Sequence, residues 1–159
     1  MKVYIGNWPK NPAKERKVDI RIDKWDTWSM DNTLALIIEP MLKQLKLTKN
    51  GHPCMGTNIP DSCDGCSCQT EWDEILDKMI FAFESLNNDY EEQYHSGECD
   101  FIWTPVDAKG NETPDGEYRR MDDGPNHTHK FDLEGYRAHN EKIQEGLELF
   151  GKHFRSLWD

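Results

Sequence analysis

A chain of 159 residues, 36% of them hydrophobic and 11% aromatic, is long enough to bury most of its apolar surface in one domain. Its net charge of −11 argues against nucleic acid or an anionic membrane as direct partner and permits a basic protein surface. No apolar run approaches the roughly 18 residues of a membrane span, and MKVYIGNWPK has no signal-peptide core. A cytoplasmic protein is therefore expected, in which the five cysteines do not form stable disulfides.

Residues 2–5 (KVYI) are a strand candidate, closed off by Asn7-Trp8-Pro9. Val18, Ile20 and Ile22 alternate with Asp19, Arg21 and Asp23, the period of a strand with one buried face, and the two strands suit a hairpin. Across residues 24–47, Leu34, Ile37, Ile38, Met41, Leu42 and Leu45 recur at three- and four-residue steps. This predicts a helix with a broad apolar stripe, a kink at Pro40 and a stop at Asn50-Gly51. Residues 51–69 read as a Cys-rich loop, after which Thr70 is the expected N-cap of a second helix, with Glu71, Asp73 and Glu74 in its first turn. Trp72, Leu76, Met79, Phe83, Leu86 and Tyr90 form a heptad seam along it.

Residues 98–106 (ECDFIWTPV) predict a strand, residues 107–126 a long turn-rich loop or hairpin excursion, and residues 127–131 a return to the sheet. Asp132 then caps a last helix whose stripe is Tyr136, Ile143, Leu147, Phe150, Phe154 and Leu157. Gly146 and Gly151 lie inside it, each costing about 1 kcal/mol relative to Ala, tolerable where a neighbour packs closely. No repeat or boundary interrupts the pattern. The expectation is a single α+β domain over residues 1–159, with three main helices packed together and a small antiparallel sheet.

Three blocks carry a resemblance. KWDTWSMDNTLALIIEPMLKQLK from Lys24, EWDEILDKMIFAFE from Glu71 and KIQEGLELFGKHFRSLWD from Lys142 are similar, in order, to those of an uncharacterised family of small proteins encoded by tailed bacteriophages. In that family a His commonly stands at the position of Asn32, and the loop after the first helix is acidic rather than Cys-rich. The resemblance implies a phage origin and a role inside the host bacterial cytoplasm, and it brings no activity with it.

Trp25, Asp26, Trp28 and Asp31 combine flat apolar rings with acids where backbone amides lie unpaired. Together with Asn32, Glu84 and His139 they are the candidate ligand-binding residues. Asp31 and at least one of the two rings are expected to line a pocket shared with the second or third helix. The competing reading makes Asp26 a cap, Asp31 a first-turn acid and the rings core anchors; burial is the expectation for at least three of Trp25, Trp28, Trp72, Trp103 and Trp158, and exposure for Trp8 and Trp25, next to turns and charges.

Zinc needs four soft ligands at tetrahedral angles. Cys63-x-x-Cys66 is a usual half-site, with Cys54, Cys68 and His52 as candidates for the rest; such an ion would be structural, and the alternative is free thiols in a loop. His127-x-His129, beside Asp122, Asp123 and Asp132, is a second metal-ligand pattern. No Walker loop, nucleophile elbow or HExxH is present. The sequence favours a non-enzymatic phage accessory protein that binds a host protein or a nucleotide-like ligand, as in countering host defence. Its rivals are a metal-dependent hydrolase of nucleotides or phosphoesters using Asp31, Glu84 and His139, and a minor virion or assembly component.

Overall fold

The computed structural model describes residues 1–53 and 66–158, the side chains of residues 66–68 excepted. Along the chain run β1 (Lys2–Ile5), β2 (Val18–Arg21), α1 (Met30–Thr48), α2 (Cys66–Asn87), β3 (His95–Ser96), β4 (Phe101–Val106), β5 (Tyr118–Asp123), β6 (Lys130–Phe131) and α3 (Leu133–His153), with short 3-10 turns between them. The fold is α+β, three main helices with small antiparallel sheets. Among the described residues the strands form three separate two-stranded ladders, β1 with β2, β3 with β6 and β4 with β5, in place of the one sheet expected. Where the sequence marks no boundary, the contacts form two compact units, Met1–Asn88 with Lys142–Asp159, and Asp89–Glu141. Among the described residues no helix is long and apolar enough to cross a membrane.

The first unit holds the core. Of the seam expected on α2, Trp72, Leu76, Met79 and Phe83 are buried and Leu86 packs against the same cluster, whereas Tyr90 lies beyond the helix, in the second unit. Ala35, Ile38, Leu42 and Leu45 of α1 meet it, and Leu147, Leu149, Phe150 and Leu157 complete it. Lys43 pairs with Glu84, Lys46 with Asp77 and Lys49 with Asp73, so the partners descend along α2 as α1 ascends and the two helices are antiparallel. Helix α1 continues through Pro40.

Three expectations change in this unit. Helix α2 begins at Cys66, so Thr70 lies inside it rather than at its cap. On α1 the expected stripe is displaced: Leu34 and Met41 are exposed, while Ala35 is fully buried. A small side chain is what allows α1 to approach α2 closely. Of this unit's five tryptophans only Trp72 is in the core; Trp8, Trp25, Trp28 and Trp158 are exposed, as is Trp103 in the second unit. The core is instead mainly Leu, Ile, Met and Ala around Trp72 and a T-shaped Phe83–Phe150 pair.

In the second unit β4 pairs with β5 from Phe101 opposite Asp123 to Val106 opposite Tyr118, so much of the 107–126 excursion is a hairpin strand. Gly97, at φ 78°, lies so close to Thr128 that a Cβ there would stand 2.7 Å from the Thr128 carbonyl carbon. Asp132 caps α3 as expected, its Oδ1 accepting from the Gly135 amide at 2.9 Å.

Candidate functional site

The segment before α1 is built by local hydrogen bonds. Asp23 accepts from the Trp25 amide at 3.0 Å, and Asp26 Oδ2 accepts from the Asp23 amide at 2.7 Å, a reciprocal cap that closes the 3-10 turn Lys24–Thr27. Asp26 Oδ1 meets the Met1 ammonium at 2.8 Å. That ammonium first, and the Asp23 amide second, hold the Asp26 carboxyl below its ordinary range. Asp26 is thus a structural acid that ties the turn to β1.

The tight turn leaves its two tryptophans outside. Trp25 is 66% and Trp28 83% exposed, their rings 6.4 Å apart and tilted by 48°. With Ser29 and Thr33 they line an open hollow of about 370 Å³. The Thr33 hydroxyl donates to the Ser29 carbonyl at 3.0 Å, so part of the polar rim is already engaged. The Lys24 ammonium stands 4.9 Å above the Trp25 ring, and the Arg16 guanidinium 4.9 Å above that of Trp8.

The hairpin beside this turn is equally bare. Val18, Ile20 and Ile22, whose alternation implied a buried face, are exposed, and so are Tyr4 and Ile5 on the partner strand side. Residues 1–24 carry seven Lys or Arg against three Asp or Glu; the remainder carries twelve against twenty-seven. The exposed apolar side chains of the hairpin therefore lie in a basic stretch of an acidic chain, while Asp26 and Asp31 accompany the two tryptophans that follow it.

The other candidate residues do not join this hollow. Asp31 and Asn32 are exposed in the first turn of α1, and neither lines it. Nor does α2 or α3 contribute to its lining, contrary to the shared pocket expected from the sequence. Glu84 accepts an ion pair from Lys43 at 2.6 Å, and Glu39 another at 2.7 Å. Those bonds, Glu39 first, raise the Lys43 pKa, while Lys43 and then Asn87 lower that of Glu39. These acids close the α1–α2 seam.

His139 belongs to the second unit. Its Nδ1 lies 2.8 Å from the Tyr94 hydroxyl, and its ring stacks on Tyr90 at 4.6 Å. Tyr90 donates to Asn140 Oδ1 at 2.9 Å, and burial is the main cause of its raised pKa. This is a packed aromatic cluster with satisfied polar ends.

Of the expected metal ligands, Cys54 and Cys63 lie outside the described residues, and Cys66 and Cys68 fall in the first turn of α2. His127 and His129 have ring centroids 6.0 Å apart, but they do not converge. His127 Nδ1 is held by the Asp100 backbone at 3.0 Å, Asp122 is bonded to Arg120 and Thr104, and Asp132 caps α3. His129 turns instead to His95, a residue the sequence pattern does not mark, with Nε2 2.8 Å from His95 Nδ1. Among the described residues no three of His, Cys, Asp or Glu are grouped to hold a metal ion. Comparison with protein-family models, with curated proteins and with solved structures finds no match.

Proposed function

We propose that this protein works by binding, and that its partner is another protein received on the N-terminal surface formed by Trp25, Trp28 and the β1–β2 hairpin beside them. The supporting observation is the pair Trp25 and Trp28, two large rings presented to solvent by a turn that Asp23 and Asp26 hold in place. Contiguous exposed apolar surface marks interaction sites, and tryptophans carry much of the energy of such interfaces. An open hollow suits a protein side chain better than a nucleotide, which needs an enclosing pocket.

The charge of the face refines the expected partner. The chain as a whole permits a basic one, but residues 1–24 are themselves basic, so the complementary surface is acidic with an apolar centre. In line with the resemblance to phage-encoded proteins, the proposed setting is the cytoplasm of an infected bacterium and the proposed role is interference with a host defence protein. Hydrolysis through a three-helix carboxylate site is less well supported, since Glu84 is engaged by Lys43 and His139 by Tyr94.

The test is affinity capture from expressing cells, with each retained protein identified and then measured as a purified pair. W25A/W28A should weaken the purified pair by at least about 30-fold, the equivalent of 2 kcal/mol or more for an interface hot spot. L47A, which removes an exposed side chain elsewhere on α1, should leave it unchanged. Equal affinity of W25A/W28A and the unmodified protein would remove this face from the function.

A further inference from the structure

The contact between His95 and His129 is a second feature, independent of the tryptophan face. Gly97 lets the chain turn tightly against Thr128, and the two segments are bonded on both sides of that point. The Thr128 amide donates to the Glu98 carbonyl at 3.0 Å, and the Glu98 amide donates to the Thr128 hydroxyl at 3.0 Å. Beyond them His95 pairs with Phe131 and Ser96 with Lys130 in the β3–β6 ladder. Side chains two residues apart on a strand share a face, so His129 falls on the same face as Phe131, diagonal to His95. His95 packs on the Phe131 ring at 4.8 Å and stacks on His129 at 5.1 Å, with the planes 28° apart.

Between His95 Nδ1 and His129 Nε2, 2.8 Å apart, there is room for one proton. One nitrogen donates it and the other offers a lone pair. Without that proton two lone pairs face each other, an arrangement a cation relieves. Two imidazoles on a tetrahedral ion, each at about 2.0–2.1 Å, have nitrogens about 3.3 Å apart, so opening this pair by about 0.5 Å suffices. The backbone ladder has already brought the rings together, which removes most of the ordering cost of a chelate.

We propose that His95 Nδ1 and His129 Nε2 form a two-imidazole chelate for a divalent transition-metal ion of the zinc class, water completing the coordination. Imidazole suits zinc, copper and nickel, whereas magnesium and calcium take oxygen ligands. His127 is not a third ligand, because its Nδ1 is engaged by the Asp100 backbone and its Nε2 faces Asp123 at 3.7 Å. The sequence pattern pointed to His127 with His129; the geometry moves the pair to His95 with His129.

The test is a zinc titration of the full chain followed by nitrogen NMR of the imidazoles, which reads each histidine separately from any thiol site in the Cys-rich segment. The expected result is a saturable coordination shift of His95 Nδ1 and His129 Nε2 together. In H95A the zinc affinity reported by His129 should fall by more than about tenfold, since even outer-shell changes at metal sites cost 10–100-fold. H127A should leave it unchanged. Imidazole nitrogens that do not shift in excess zinc would overturn the proposal, and so would an undiminished His129 response in H95A.

Discussion

Two glycines in one helix give opposite predictions from one rule. Gly146 and Gly151 both lie in α3, where Ala is favoured over Gly by about 1 kcal/mol. A Cβ at Gly151 meets nothing within 4 Å. G151A should therefore stabilise the protein by about 0.5–1 kcal/mol. A Cβ at Gly146 would press into the Lys78 carbonyl oxygen and stand 2.6 Å from Ala82 Cβ, both on α2. Neither is the flexible end of a side chain, so the two helices must part by roughly 1 Å and loosen the contacts of the buried cluster around Met79 and Phe83. Overpacking of this kind costs about 1–3 kcal/mol, which exceeds the propensity gain, so G146A should destabilise by about 1–2 kcal/mol net. Urea melts followed by helical circular dichroism would give both values. In thermal melts each kcal/mol is worth about 2–4 °C for a chain of this size, downward for G146A and upward for G151A. An equal or higher stability for G146A would refute the close approach of α2 and α3.

The remaining predictions concern the same unit. F83A should lose about 3–5 kcal/mol, because Phe83 is buried at the centre of the α2 seam and packs edge-on against Phe150 at 4.9 Å; a loss under about 1 kcal/mol in the same urea melts would mean the seam is misplaced. His153 is buried against the edge of Trp72, and burial first, with Lys152 second, pushes its pKa down. Its neutral form is therefore the folded form. The unfolded chain takes up the proton from about pH 6.5 downward, so this part of the stability is full above that pH and declines below it, until the lower folded pKa is reached. H153Q should melt with a shallower dependence on pH between about 7.5 and 5 than the unmodified protein, and parallel curves would assign that dependence to other groups.

The parts legible in the sequence are those in which one face meets one neighbour. On α2 the heptad steps mark Trp72, Leu76, Met79 and Phe83 correctly, and they miss Ile80, Ala82 and Ser85, which are also buried but lie off that stripe. Helix α1 misleads because it carries two stripes: Ala35, Ile38, Leu42 and Leu45 are packed, while Met30, Leu34 and Met41, spaced by four and seven residues, fall on one helical face and stay exposed. Periodicity cannot rank two apolar stripes, and the smaller residues of the packed one lower its apparent weight. The unit boundary falls inside α3, between Glu141 and Lys142, where a continuous helix leaves no turn signal. The contact of His95 with His129 spans 34 residues and rests on strands of two residues each, too short for any alternation to show. Asp26 caps the 3-10 turn before α1 rather than α1 itself, and of the two rings beside it the exposure of Trp25 was legible from its charged, turn-rich surroundings, that of Trp28 was not.

That exposure bears on how fold and function can be separated. The buried cluster draws on α1, α2 and the C-terminal half of α3, and no residue before Ala35 is among its members. The hairpin and the 3-10 turn contribute exposed side chains on both strands, so truncating Trp25 or Trp28 removes surface that the fold does not use. Surface substitutions away from caps and cores change stability by only about 0.5 kcal/mol. Retaining such rings in water has a cost of its own, since exposed apolar patches favour association. The proposed interface would offset that cost, and the charge contrast restricts which partner it would take. The basic hairpin repels other basic surfaces, while the acidic remainder of the chain repels the phosphates that lysines and tryptophans would otherwise attract. Under the proposed binding function, exposed apolar rings beside a basic hairpin favour a partner patch that is acidic with an apolar centre.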